Sequence, residues 1–243
     1  MKAAANTEQA WLERMRAGKA CFARGDLAGS ARAFKSAIEL RQDKAEGWIN
    51  LGSTLLQGQQ FADAASALKT AAALQPGLAI THMLLGDAQR LLGKTADALA
   101  SYHRSVELER SPMGLNRLAC ALRADLQTAE AESLYREALE LAPNMTIVRV
   151  NLATLHIEKR QFEEAQELLG SLSGARLPPP EREEVASANR AIAEHARLAP
   201  AITQLIDDGD YRPLEALLSD LPRDMRKVDT GALERARQYL DWA

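Results

Sequence analysis

Apolar residues recur three or four places apart along this chain, in helix-length runs broken by short polar turns, with no sustained alternation of β-branched residues. Trp48, Leu51, Gly52 and Leu55 fall on one helical stripe, and Ala64, Leu68 and Ala71 fall on another. Such spacing aligns side chains along one face of an α-helix. Gln57-Gly58-Gln59-Gln60 forms the polar turn between the two stripes. Gly52 and Ala64 lack long side chains, so the paired helices approach closely. Pro76 has no amide hydrogen to continue the second helix and closes the unit. Leu51-Gly52 then returns as Leu85-Gly86, a period of about 34 residues.

The neighbouring segments keep this register with decreasing fidelity. Gly18, Gly25-Asp26-Leu27, Phe34 and Ala37 carry it before the template; Arg14 and Ala17 replace the Trp and Leu. Leu85, Gly86, Gly93, Ala98 and Tyr102 carry it next, with Ser105 for the second Ala and His82 in the tryptophan place. Leu115, Leu118, Ala119, Ala131, Tyr135, Ala138 and Pro143 follow, then Leu152, Ala153, Phe162, Ala165 and Leu169. The expected organisation is a flexible N-terminus over 1–10 and five units over 11–174, at about 11–44, 45–78, 79–111, 112–145 and 146–174. A Pro-rich linker, 175–180, separates these from C-terminal helices over 181–243.

In that last stretch Pro180 with Glu181, Glu183 and Glu184 starts a helix well, because acids suit the positive end of the helix dipole. The helix is expected to reach about Leu198, with a kink or a new start at Pro200. Gly209-Asp210-Tyr211 reads as the turn of a degenerate unit, and Thr230 to Asp241 as a terminal amphipathic helix. Capping the open end of a stack is one role for this region. Dimerisation or docking through Leu233, Tyr239, Leu240 and Trp242 is another, and a linker toward a further domain is a third.

The ordered set Trp48, Leu51, Gly52, Ala64, Ala71 and Pro76 resembles the tetratricopeptide repeat (TPR), with Leu55 and Leu68 in its aromatic places. The resemblance implies an all-α fold, a right-handed superhelix of antiparallel helix pairs with a helical cap. It also implies a concave groove lined by the first helix of each unit. Mapped residue by residue, the groove takes Met15, Arg16, Lys19 and Phe22 from the first unit. The second and third supply Ile49, Asn50, Ser53 and Gln57, then Met83, Asp87 and Arg90. Asn116, Arg117, Cys120 and Arg123 come from the fourth, and Val150, Asn151, Thr154 and Glu158 from the fifth. Some TPR families hold an extended peptide by an asparagine ladder; Asn50 and Asn151 occupy its place, but Arg16, Leu84 and Arg117 interrupt it. The carboxylate clamp of chaperone-binding members fits poorly, since Met15 and Lys19 stand where it needs Lys and Asn.

Composition narrows the function. Hydrophobic residues make up 47% and aromatics only 5%, with alanine prominent, which favours helix. A net charge of −3 leaves no bulk footprint for nucleic acid. Cys21 and Cys120 have no metal or disulfide spacing. His82, His103, His156 and His195 lie on separate helices without a metal pattern, and no phosphate loop or nucleophile elbow is present. No enzyme, metal or cofactor is expected. Neither an N-terminal apolar segment nor a membrane-length run occurs, so a cytoplasmic protein is expected.

Arg16, Lys19, Arg90, Arg117 and Arg123 make the groove more basic than the whole chain, which suits carboxylates. The expected function is a non-enzymatic interaction scaffold or adaptor for a peptide or protein segment, acidic in character. The rival is a substrate-recruiting or regulatory module attached to or assembled with a transferase or hydroxylase.

Overall fold

The structure is a computed structural model that describes residues 2–172 and 177–208, with side chains over 6–172 and 177–197. Among the described residues it is all-α, with eleven helices and no strand. Helices α1 (Lys2–Ala23) and α2 (Leu27–Leu40) pair first, then α3 (Ala45–Gln57) with α4 (Phe61–Leu74). Next come α5 (Ala79–Leu91) with α6 (Thr95–Leu108), and α7 (Pro112–Ala124) with α8 (Thr128–Leu141). Then follow α9 (Thr146–Glu158), α10 (Phe162–Gly170) and α11 (Pro179–Asp208). The chain divides into two compact units, one ending at Leu155 and one starting at His156.

Within the first unit each pair closes through the same turn. Gly25, Gln59, Gly93 and Leu126 adopt positive φ of 77°, 58°, 73° and 63°. The following amide bonds back to a carbonyl near the helix end: Asp26 to Cys21, Gln60 to Leu55, Lys94 to Gln89 and Gln127 to Leu122, at 2.8–3.0 Å. This six-to-one bond satisfies carbonyls that a helix end leaves open, and it needs one left-handed residue. Two side-chain caps start helices: Asp26 accepts from the Gly29 amide at 2.8 Å, and Ser111, before Pro112, accepts from Gly114 at 3.2 Å.

The tryptophan place proves to be a tether to the preceding loop. Trp48 Nε1 donates to the Gln42 carbonyl at 3.1 Å, and His82 Nε2 lies 2.9 Å from the Pro76 carbonyl. Arg149 donates to the Pro143 carbonyl in the same way. Three unlike side chains thus do one job, since each carries an N–H that reaches a carbonyl six residues earlier. Ser105, which replaces an alanine, is likewise satisfied by the Ala79 carbonyl at 2.9 Å.

The structure revises the expected ends of three segments. Residues 2–10, expected to be flexible, are helical within α1. Their alanines favour helix, and Glu8 pairs with Arg41 and, at 3.7 Å, with Lys44, which holds the turn before buried Trp11. In the second unit α11 begins at Pro179, because a proline fits the first helical turn, where its missing N–H has no partner to lose. It also passes through Pro200 to Asp208, beyond the end expected near Leu198. One proline removes a single amide bond, and the helical runs on both sides continue. Phe162 of α10 stacks on His195 of α11 with centroids 3.7 Å apart. The turn at Gly209 to Tyr211, the terminal helix, and Leu233, Tyr239, Leu240 and Trp242 lie outside the described residues.

Candidate functional site

Helices α1, α3, α5 and α7 touch in sequence order and form one shared face of the first unit. Small residues bring the second helix of each pair close behind it. A Cβ added at Gly18 would stand 2.5 Å from the Phe34 ring, at Gly52 2.5 Å from Leu68, and at Gly86 2.6 Å from the Tyr102 ring. Close approach of this kind requires glycine. It also lets a buried ring on the second helix reach the face on the first.

Two tyrosines do reach it. The Tyr102 hydroxyl donates to Asp87 at 2.7 Å, and the Tyr135 hydroxyl to Cys120 Sγ at 3.2 Å. Burial pushes the Tyr102 phenol upward, and the Asp87 carboxylate beside it adds to the rise, while Arg90 opposes it. Asp87 also pairs with Arg117, Nε lying 3.4 Å from its carboxylate. Further along, Asn151 donates to the Asn116 side-chain oxygen at 2.9 Å and lies 3.4 Å from Cys120 Sγ. Arg123 reaches the Asn151 carbonyl at 3.5 Å.

The expected groove residues therefore divide. Arg16, Gln57 and Arg90 are exposed, and Phe22, Ile49, Asn50, Ser53, Met83 and Asp87 are half-buried on the face. Lys19 is exposed and bonded to Glu46 at 2.8 Å. Arg117, Cys120, Arg123, Asn151 and Thr154 are half-buried, and the Thr154 hydroxyl bonds its own helix at Val150. Asn116 is only 2% exposed, turned to Asn151, and Met15 and Val150 are core residues. These three are buried, so little of any of them is open to a ligand. Glu158 is exposed and belongs to the second compact unit.

Sequence reasoning overlooked a row near the start of the repeat units. Leu12, Ile80 and Met113 are each about two-fifths exposed (41%, 46% and 38%), with Glu46 at the matching place of α3. Their signal was the same register, one residue after the start of each unit. Between α1 and α3 a hollow of about 90 Å³ opens, lined by Lys19, Phe22, Phe34, Asn50, Ser53 and Thr54. Among the described residues, no group of three or more His, Cys, Asp and Glu could hold a metal ion. No described helix is long and apolar enough to cross a membrane.

Two family models, each described as Tetratricopeptide repeat, match: one over residues 15–79 and 49–112, the other over 122–181. Among curated proteins no significant sequence match is found. Solved structures share the fold. A thermophilic TPR protein of Thermus thermophilus is 21% identical, covering 73% of this chain and 98% of that one with TM-score 0.62. Pseudomonas aeruginosa pilF is 15% identical, over 80% and 94%, with TM-score 0.65. YrrB, described as a TPR protein with an unusual peptide-binding site, is 17% identical, over 73% and 90%, with TM-score 0.57.

Proposed function

The chain belongs to the tetratricopeptide repeat family, and from that premise we propose that it is a non-enzymatic scaffold. It binds an extended, acidic segment of a protein partner along the face of α1, α3, α5 and α7. One observation carries this reading: that face holds Arg16, Lys19, Arg90, Arg117 and Arg123 against Glu46 and Asp87, in a chain of net charge −3. Guanidinium groups present paired donors that match a carboxylate. Arg16 and Arg90 make no ion pair among the described residues, and both are exposed. The peptide-binding site of YrrB, a protein of the same fold, supports the choice of ligand class.

Random peptides displayed on phage and selected on the intact chain test the reading. Selected sequences should be rich in Asp and Glu, and their affinity should fall steeply with salt. The combined variant Arg16→Ala, Arg90→Ala, Arg123→Ala should lose them while keeping its helical circular dichroism. Selected peptides that bind this variant unchanged would place the site elsewhere.

A further inference from the structure

We propose that the hollow over Phe34 is an anchor subsite, taking one aliphatic side chain of the bound segment beside an acidic residue of that segment. This rests on the groove reading above and goes further, naming the residue that sits at one place.

The hollow arises from a missing hydroxyl. In the third and fourth helix pairs the ring behind the face is a tyrosine, whose hydroxyl meets Asp87 or Cys120. Phe34 sits against Gly18 as Tyr102 sits against Gly86, with the same ring atoms closest. It has no hydroxyl, however, and Lys19, at the place of Asp87, is drawn across to Glu46 at 2.8 Å. The volume filled elsewhere by a hydroxyl and its acceptor stays open here, about 90 Å³.

Its chemistry suits one residue of a peptide. The rings of Phe22 and Phe34 give it apolar walls. A dry cavity of about 150 Å³ accepts benzene, so this smaller space matches a branched or linear aliphatic group better than an aromatic ring. Thr54 is satisfied, donating to the Asn50 carbonyl at 2.8 Å and lying 3.1 Å from the Ser30 hydroxyl. Asn50 uses one amide hydrogen on the Glu46 carbonyl at 2.8 Å, which leaves its oxygen and second hydrogen for a ligand. Ser53 makes no hydrogen bond among the described residues. A peptide unit presents one donor and one acceptor to such a pair. Arg16 lies one turn before Lys19 on α1 and is exposed, while Lys19 is paired with Glu46 at 2.8 Å, so the Arg16 guanidinium is the charge that a ligand would meet. An acidic neighbour of the anchor residue meets that charge.

Phe34→Tyr is the direct test, since it restores the missing hydroxyl in a ring seat where Tyr102 and Tyr135 already fold. Phage-displayed random peptides are selected on the full chain, and the winners are made synthetically, each with its aliphatic residue kept or changed to Ala. Winners should share a Leu, Ile, Val or Met next to Asp or Glu. Phe34→Tyr and the peptide Ala change should each weaken binding about tenfold, and together little more than either alone. Ser53→Leu, which fills the hollow from a half-exposed position, should repeat the loss. Winners that bind Phe34→Tyr and Ser53→Leu unchanged but lose the combined arginine variant overturn the anchor and leave the groove standing. Winners indifferent to all three variants, or none at all, overturn both readings.

Discussion

The Tyr102 hydroxyl donates to Asp87 across 2.7 Å, so a ring seated in the core of one helix pair ends on the face shared with the next. Arg117 of α7 pairs with the same carboxylate. Core packing and the proposed binding face are therefore linked through Asp87.

Tyr102→Phe should lower stability by about 1.5–3 kcal/mol, the usual worth of a hydrogen bond to a charged group. Thermal melts of the single variants and of Tyr102→Phe with Asp87→Asn should show the two changes to be non-additive. The phenol is raised above its ordinary 10.0, first by burial and then by Asp87. The unfolded chain therefore ionises first, and stability present below pH 10.0 is lost as pH rises beyond it. Tyr102→Phe should flatten that part of the alkaline decline.

Gly86→Ala places a methyl 2.6 Å from the Tyr102 ring, and overpacking of this kind costs about 1–3 kcal/mol. Gly77→Ala meets nothing within 4 Å and should change the melting temperature little. Denaturant titration of the two variants side by side checks both.

Leu126 holds φ of 63° in the turn between α7 and α8 with 85% of its surface exposed. The matching turns use Gly25 and Gly93. A side chain in this region costs roughly 1–2 kcal/mol, and Leu126 has little burial to offset it. Leu126→Gly should raise the denaturation midpoint.

The glycine seats show how much of this was legible in sequence. Gly18, Gly52 and Gly86 with Phe34, Leu68 and Tyr102 recur because each pair must solve the same packing problem, so the family and the all-α fold could be read from spacing. The face was legible only as a side of each helix. Lys19 meets Glu46 and Arg117 meets Asp87 across helices that are distant in sequence, and no single-helix pattern encodes such partners. Asn116 looked like a groove residue because it takes the place of Ile49 and Met83 in the register, yet it is buried and bonded by Asn151. The hollow was invisible for a similar reason: it depends on what Phe34 lacks and where Lys19 leans.

Arg41 closes a two-pronged hydrogen bond on Asp43, at 2.9 and 2.8 Å. That bond chiefly holds the Asp43 carboxyl at about 2, below its ordinary 3.8. The folded state thus favours the charged form, so this contribution is present above pH 3.8 and lost as pH falls toward about 2. Carbon-detected NMR titration should show the low value, and Arg41→Met should return it toward 3.8.

Everything proposed for this chain depends on which face holds the partner. Chemical-shift mapping of the isotope-labelled full chain with a phage-selected acidic peptide tests it most directly. Shifts should concentrate at Arg16, Ser53, Asp87, Arg90 and Arg123, on α1, α3, α5 and α7. Shifts concentrated instead at Lys35, Lys69, Arg104 and Arg136, exposed residues of α2, α4, α6 and α8, would contradict it.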